Sequence, residues 1–273
     1  VTRFQGTIHN DTPDNFNNLI RKAPSLQAYK TSAHLTIMTN DGTQGLKTLQ
    51  RFGNKSGEIV FWRNGVNKIS DDLLLQRKQL RKCFDFDDNF VFLTVSRLVD
   101  WKKVDRAINA FAVVNKEYSN ARLVIIGDGE AKNNLMFLTK ELQLNDKVVF
   151  KGAVEQDVVS KYMVAADAFL SFYNISNVGN PLMEAMMCGK PIITLDVGDT
   201  SELIKNGENG ILLSLDNLSQ ISHMMNKIIE DKEFRDNLSM GALKTAHREF
   251  WNWDDRISAE ISKVSLLLEG DSN

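Results

Sequence analysis

Two cations and a glycine turn in this sequence suit the binding of a phosphorylated ligand. Arg97 and Lys102 stand five residues apart in the segment VSRLVDWKK. Two fixed cations on one loop can stabilise a diphosphate leaving group without a metal, and each charge-assisted contact contributes roughly 1.5–3 kcal/mol. A solvated basic loop explains the same spacing equally well, so the pair alone leaves both interpretations open.

The stretch from Ser176 to Pro191 predicts a glycine turn that opens a buried helix. Gly179 and Asn180 make the turn, and Pro181 has the fixed φ suited to a helix start. Backbone N–H groups and the positive helix end would face an anion above the turn. Glu184 lies one turn into the helix, where a carboxylate can accept hydrogen bonds from ribose or sugar hydroxyls. An ordinary strand, turn and helix with methionines as core filler is the alternative.

Alternating strands and helices would position these loops. Short apolar runs predict strands at Phe90–Ser96, Arg122–Ile126, Val148–Phe150, Ala168–Phe172, Pro191–Leu195 and Ile211–Leu213. The segments between them carry helical periodicity, so we predict the α/β class, with a doubly wound, parallel, six-stranded Rossmann-like sheet. Ligands bind such sheets outside the carboxyl ends of the strands, near the switch in strand order. Every motif named above follows a predicted strand.

The composition argues against several classes of function. A net charge of −2 gives no indication of a nucleic-acid partner, and no apolar run approaches the length of a membrane span. The four histidines are scattered and the two cysteines lie far apart, so we expect no metal site and a reduced, cytoplasmic protein. The most basic run, Gln76 to Lys82, predicts a solvated helix face, with a peripheral membrane contact as the sharper alternative.

Both motifs resemble signatures of the retaining GT-B glycosyltransferases of family 4, the glycosyl transferases group 1. The family form R-L-x-x-x-K-G is matched by Arg97 and Lys102, while Lys103 replaces the glycine. The form E-x-F-G-x-x-x-x-E-A-M-A-x-G-x-P is matched by Gly179, Glu184, Ala185, Met186, Gly189 and Pro191. Ser176 stands where the family has its first glutamate, so the resemblance supports nucleotide binding more firmly than a particular sugar contact.

The resemblance implies a role for each matching residue. Arg97 and Lys102 would stabilise the leaving diphosphate, Glu184 would hold the ribose, and Ser176 would stand at the sugar contact. Further donor-binding positions follow from the same alignment, in the turn, the glycine loop after the second strand and the segment that lines the base: Val178, Gly179, Asn180, Pro181, Gly127, Gly152 and Val154. On the acceptor side, Gln5 occupies the place where relatives often carry a histidine.

The resemblance also implies a domain plan. We expect a GT-B fold that lacks the first part of its amino-terminal domain, with a partial acceptor-side α/β domain over residues 1–67. A nucleotide-sugar-binding Rossmann-like domain would cover 68–250, and a carboxyl-terminal helix over 251–273 would pack back toward the first domain. A partner chain that covers the incomplete domain would complete this plan.

The implied activity is metal-independent transfer of a hexose from a UDP- or GDP-sugar, with retention and without a cofactor. The acceptor would be a saccharide or lipid-linked sugar in cell-surface polysaccharide or glycolipid biosynthesis, at the inner face of the membrane. A truncated, non-catalytic nucleotide-sugar-binding module is the alternative. A nicotinamide-dependent dehydrogenase is a poor match, because the sequence has no glycine fingerprint followed by an acid about 20 residues later.

Overall fold

The structure is a computed structural model that describes residues 1–5, 24 and 27–270. The chain divides into two units, one made of Val1–Asn67 with Phe250–Asn273 and the other of Lys68–Glu249. In chain order the strands of the described residues are β1 Thr2–Phe4, β2 Leu35–Thr39, β3 Glu58–Trp62, β4 Phe90–Val95, β5 Ala121–Ile126, β6 Val148–Gly152, β7 Ala168–Ser171, β8 Ile192–Leu195 and β9 Ile211–Leu213.

The α-helices lie between and after these strands. In chain order those described from end to end are α1 Gly45–Arg51, α2 Asp71–Leu75, α3 Arg77–Cys83, α4 Val104–Glu117, α5 Lys132–Glu141, α6 Gln156–Ala165, α7 Asn180–Met187, α8 Thr200–Leu203, α9 Gln220–Glu230, α10 Lys232–Glu249 and α11 Trp253–Gly270. Short 3-10 turns cover Asp100–Lys102 and Leu215–Asn217. None of the helices in the described part of the chain is long and apolar enough to span a membrane.

The first unit is a three-stranded parallel sheet in the order β1-β2-β3. The helix α11 is fixed to this sheet by Arg256, which is 1% exposed and donates through Nε to the Arg63 carbonyl at 2.9 Å. Its guanidinium also lies 4.8 Å from the centre of the Trp62 ring. Gly65 must be glycine here, because a Cβ would come within 2.6 Å of the Trp253 backbone.

The second unit is a six-stranded parallel sheet in the order β6-β5-β4-β7-β8-β9. Its central strands are near-continuous apolar runs, such as FVFLTV in β4 and ARLVII in β5, because helices cover both faces of a parallel sheet. The buried stripe of α4 predicted from its periodicity packs into the core of this unit. The predicted fold class is therefore confirmed, and each of the six predicted strands is present within a residue or two of its expected bounds.

Candidate functional site at the switch point of the sheet

The strand order of the second unit defines where a ligand would bind. The chain runs from β4 outward to β5 and β6, then returns to β7 beside β4 and continues to β8 and β9. The connections therefore leave β4 and β7 in opposite directions, and sheets of this kind bind ligands between the loops at the carboxyl ends of two such strands. The loop after β4 carries Arg97 and Lys102, and the loop after β7 carries Ser176 to Pro181.

The loop after β4 is anchored by Leu98, immediately after Arg97. Leu98 is fully buried, its N–H donates to the Asp128 carbonyl, and its own carbonyl accepts from the Ala131 N–H, both at 2.9 Å. Arg97 is exposed between these anchors and the end of β4, so its guanidinium can reach a ligand in solvent. Lys102 ends the 3-10 turn that follows and lies against Trp101 and Tyr173.

The loop after β5 can approach the Arg97 loop because two of its residues are glycines. A Cβ on Gly127 would lie 1.8 Å from the Ser96 carbonyl oxygen, and one on Gly129 would lie 2.4 Å from the Leu98 carbonyl oxygen. Gly127 also donates its N–H to the Gly152 carbonyl at 2.8 Å. Glycine is therefore required at position 127 for the close packing of the two loops, whether or not a ligand is bound.

Gly152 and Val154 belong to the third loop on this edge. Gly152 ends β6 with a φ of +70°, where glycine is favoured, and Val154 is half-buried two residues later. The loops after β4, β5 and β6 thus lie side by side at the carboxyl ends of their strands, and the Gly127 N–H is hydrogen-bonded to the Gly152 carbonyl. Gln5, in contrast, follows β1 in the first unit and is exposed.

Asn177 organises the loop after β7, although it is not among the site residues predicted from the sequence. It is 1% exposed, and its Oδ1 accepts from the Ser171 hydroxyl at 2.7 Å and from the Tyr173 N–H at 3.0 Å. Its Nδ2 donates to the Leu195 carbonyl at 3.1 Å. One amide side chain therefore ties this loop to the ends of β7 and β8. A buried Asn inside a glycine turn is the signal that would have found it.

Two hydrogen bonds of the turn lie within the loop itself. Ser176 is buried, and its Oγ accepts from the Val178 N–H at 3.2 Å. The Gly179 N–H, expected to face a ligand, instead donates to the Asn177 carbonyl at 2.9 Å. Gly179 is the residue before α7, and Asn180 and Pro181 are its first two residues. The positive helix end remains directed along the axis of α7, while the Gly179 amide is already used.

Glu184 has a neutral hydrogen-bond partner on a neighbouring helix. Its Oε1 accepts from the Gln156 Nε2 at 2.9 Å, and Gln156 is the first residue of α6. Burial raises the pKa of the Glu184 carboxyl, and the Gln156 hydrogen bond acts in the opposite direction. A half-buried carboxylate needs a hydrogen-bond partner, and Gln156 provides it from a position 28 residues earlier in the chain.

The basic run from Gln76 to Lys82 differs from its prediction. Arg77 donates to the Ala166 carbonyl at 2.6 Å and pairs with Asp167 at 2.6 Å, and Arg81 pairs with the same carboxylate at 2.9 Å. The predicted solvated face is therefore wrong for Arg77 and Arg81. Lys78 and Lys82 of the same run are exposed.

A third cation joins the arginines at the carboxyl end of α6. Lys190 is 7% exposed, and its Nζ donates to the Val164 and Ala166 carbonyls at 2.9 Å each. Burial, with the nearby charge of Arg77 as a smaller cause in the same direction, lowers the pKa of this amine to about 7. These three side chains satisfy carbonyls that the end of a helix leaves without partners.

Comparison with known proteins identifies the family. The profile of the family described as Glycosyl transferases group 1 matches residues 76–245, and the chain belongs to this family. Among its relatives, an uncharacterized glycosyltransferase from Methanocaldococcus jannaschii is 28% identical over 222 residues, which cover 80% of this chain and 56% of the relative. The N-acetyl-alpha-D-glucosaminyl L-malate synthase of Bacillus anthracis is 25% identical over 243 residues, covering 81% and 63%.

A solved structure supports the same fold. The crystal structure of Anabaena Alr3699/HepE in complex with UDP-glucose matches with a TM-score of 0.80 at 22% identity, covering 96% of this chain and 72% of that one. The GT-B assignment is therefore confirmed at the level of fold. The chain spans only 56% and 63% of the two curated relatives, so their activities do not transfer to it directly.

Proposed function

We propose that this chain binds a nucleoside diphosphate sugar at the carboxyl edge of its six-stranded sheet and transfers the hexose to an acceptor with retention. The observation that carries the proposal is the pair of loops flanking the switch point. One loop bears the cations Arg97 and Lys102, and the other leads into the amino end of α7. Family membership supports the same class of donor.

Arg97 and Lys102 would stabilise the diphosphate as its bond to the sugar breaks. Negative charge grows on the leaving phosphate oxygen while the bond lengthens, so fixed cations bind the transition state more tightly than the ground state. An exposed guanidinium can bind two phosphate oxygens in parallel, and the lysine adds a compact charge. In this proposal the Arg97 and Lys102 side chains themselves neutralise the charge of the diphosphate.

Glu184 would hold the nucleoside through its ribose. Ribose hydroxyls can donate to both carboxylate oxygens, and a half-buried site makes such charged hydrogen bonds stronger than they are in water. One ribose hydroxyl would replace the Gln156 amide that occupies Oε1 in the free protein. Gly152 and Val154 would line the base by shape, and Gly179 would leave space for the phosphates beside Asn180 and Pro181.

Ser176 favours a second candidate function, a non-catalytic nucleotide-sugar-binding module. The Ser176 hydroxyl accepts from the Val178 N–H, and it carries no charge with which to balance a developing positive charge on the sugar. A chain of this kind could bind the donor through Arg97, Lys102 and Glu184 and yet transfer nothing. The two functions share a donor site and differ only in turnover.

Transfer of radiolabelled hexose by the chain itself separates the two functions. UDP-glucose, GDP-mannose and simple saccharide acceptors serve as probes, and NMR of the product gives the anomeric configuration. We expect transfer with retention, reduced roughly 10²–10³-fold in Arg97→Ala and unchanged in Lys116→Ala, an exposed cation on α4. Donor binding without transfer or donor hydrolysis would establish the module instead, and an inverted product would contradict the mechanism.

The acceptor and the cellular setting belong to the same proposal. A saccharide or lipid-linked sugar is the acceptor class, and the cytoplasmic face of a membrane is the place where such acceptors meet nucleotide sugars. Lys78 and Lys82 are the exposed cations of α3 that a peripheral contact with anionic lipid would use.

A further inference from the structure

The Lys102 ammonium lies against the faces of two aromatic rings. Its Nζ is 3.6 Å from the centre of the Tyr173 ring and 4.2 Å from the centre of the Trp101 ring. The two rings meet edge to face, with centres 6.2 Å apart and planes at 80°. We call Trp101 and Tyr173 the aromatic cage. The negative faces of both rings attract a cation, and they fix its place without fixing the direction of each N–H group.

Hydrogen bonds on both loops hold the aromatic cage in place. Tyr173 is 4% exposed, its hydroxyl donates to the Val95 carbonyl at 3.1 Å, and its N–H donates to the Asn177 Oδ1 at 3.0 Å. The Trp101 carbonyl accepts from the Asn174 N–H at 3.1 Å. The cage therefore joins the loop after β4 to the loop after β7, across the switch point itself.

The cage adds no charge of its own to the crevice. Burial raises the pKa of the Tyr173 hydroxyl to about 12, so the phenol is neutral throughout the physiological range. Tyr173 therefore attracts Lys102 as a ring face rather than as a phenolate. Two neutral rings therefore do not neutralise the lysine, and they order its long side chain before a ligand arrives.

We propose that Trp101 and Tyr173 are positioning residues, which hold the Lys102 ammonium at the switch point where the diphosphate of a nucleotide sugar binds. The role of the ligand rests on the proposed function, whereas the cage can be observed in the free protein. Two simpler roles make different predictions. A cage that only packs would leave nucleotide affinity unchanged when it is opened, and one that withholds Lys102 would make affinity rise.

Four variants separate the ring faces from the rest of each side chain. Tyr173→Leu and Trp101→Leu remove one face each, and Trp101 is only half-buried, so its variant guards against a failure of the buried tyrosine variant to fold. Tyr173→Phe and Trp101→Phe keep an aromatic face and should rescue the effect. Tyr173→Phe also loses the bond to Val95, and therefore measures what that bond contributes.

NMR of the free protein tests the cage without any nucleotide. Lysines are converted to ¹³C-dimethyl-lysine, which keeps its positive charge, and the Lys102 signal is assigned by its absence in Lys102→Arg. We expect this signal to be shifted upfield by the rings, to move toward the other lysines in both leucine variants, and to stay shifted in both phenylalanine variants. An unshifted signal in the wild-type protein would overturn the cage.

Calorimetry with UDP, GDP and ADP then tests whether the aromatic cage strengthens nucleotide binding. For the nucleotide that binds, we expect the Kd to rise roughly tenfold in the leucine variants and to be restored to within about threefold by phenylalanine. A shifted Lys102 signal with unchanged or tighter binding in the leucine variants would overturn the positioning role and leave the nucleotide site standing. Binding of none of the three nucleotides would instead overturn the proposed function and, with it, the role of the cage.

Discussion

Glu184 is a carboxylate whose ionisation opposes folding. Burial raises its pKa, and the Gln156 hydrogen bond offsets only part of that effect. A group whose pKa in the folded protein lies above its ordinary value favours folding at acid pH, and that contribution is lost as the pH rises through the folded pKa. A destabilising carboxylate next to a glycine turn is expected where a ligand uses the charge.

The variant Glu184→Gln tests this cost directly. We expect the variant to have a higher free energy of unfolding than the wild type at pH 7. This difference disappears below about pH 4, because the Glu184 carboxyl of the wild type is then protonated and as neutral as glutamine. The same variant should bind nucleotide more weakly. Urea unfolding at the two pH values and calorimetry measure the two effects. Glu141→Gln, on the exposed end of α5, should change neither, and tighter nucleotide binding by Glu184→Gln would contradict the account.

Lys103 occupies a backbone conformation that suits glycine. It has φ 46° and ψ 44° immediately before α4, at the position where the family motif has glycine. The left-handed conformation costs a non-glycine residue roughly 1–2 kcal/mol, and the greater freedom of glycine in the unfolded chain offsets about 0.5–1 kcal/mol of the gain. We therefore expect Lys103→Gly to stabilise the protein by roughly 0.5–1 kcal/mol in urea unfolding.

A matched lysine gives the opposite sign. Lys244 lies in the interior of α10 and is exposed, so Lys244→Gly should destabilise the protein by about 1 kcal/mol. Equal losses for the two substitutions would show that the left-handed conformation of Lys103 imposes no strain.

At the scale of elements, the strands could be predicted from the sequence and the contacts between loops could not. A central strand of a parallel sheet is an apolar run that stands out locally. The partnership of Gln156 with Glu184, and of Tyr173 with Lys102, joins residues that are distant in sequence, and local pattern does not encode it. The sequence predicted a doubly wound sheet but not its strand order, since it does not show beside which strand each connection returns the chain.

The basic run shows the same limit on one short helix. Arg77, Lys78, Arg81 and Lys82 look alike in a charge pattern, yet two of them face α6 and two face solvent. Only the tertiary position of Asp167 and of the α6 carbonyls makes the difference.

Two variants of this helix measure that difference. Arg81→Ala leaves the Asp167 carboxylate and the Ala165 carbonyl with fewer partners, and we expect it to destabilise the protein by about 2–4 kcal/mol. Lys78→Ala should stay within about 0.5 kcal/mol of the wild type. Thermal and urea unfolding provide the comparison. If Arg81→Ala left stability unchanged, Arg81 would belong to a solvated helix face, as the sequence predicted.

Two glycines of the carboxyl edge have different reasons to be glycine. The Ser96 carbonyl leaves no room for a Cβ on residue 127. A Cβ on Gly179 would meet only the Pro181 Cδ at 3.7 Å, and the Gly179 φ of −110° suits any residue. We expect Gly127→Ala to cost roughly 2–4 kcal/mol of stability, and Gly179→Ala to fold normally but bind nucleotide more weakly. Unchanged affinity in a folded Gly179→Ala would mean that no phosphate approaches the turn.

At the scale of the whole molecule, we propose that the unit of Lys68–Glu249 binds the nucleotide. That unit contains the complete six-stranded sheet, its switch point and every candidate donor-binding residue, while Gln5 lies in the other unit. The family profile at residues 76–245 falls entirely within the same unit. Nucleotide binding therefore tests the central claim more directly than sugar transfer does, because transfer also requires an acceptor.

The decisive measurement is the thermal unfolding of this chain with UDP, GDP and ADP, beside Arg97→Ala and Glu184→Ala. A nucleotide at a hundred times its Kd contributes about 2.7 kcal/mol, which raises the Tm of a chain of this size by roughly 5–10 °C. We predict a rise of this kind for one of the three nucleotides, and its loss in both variants. No rise with any nucleotide, or a rise that survives both substitutions, would contradict the assignment of the donor site.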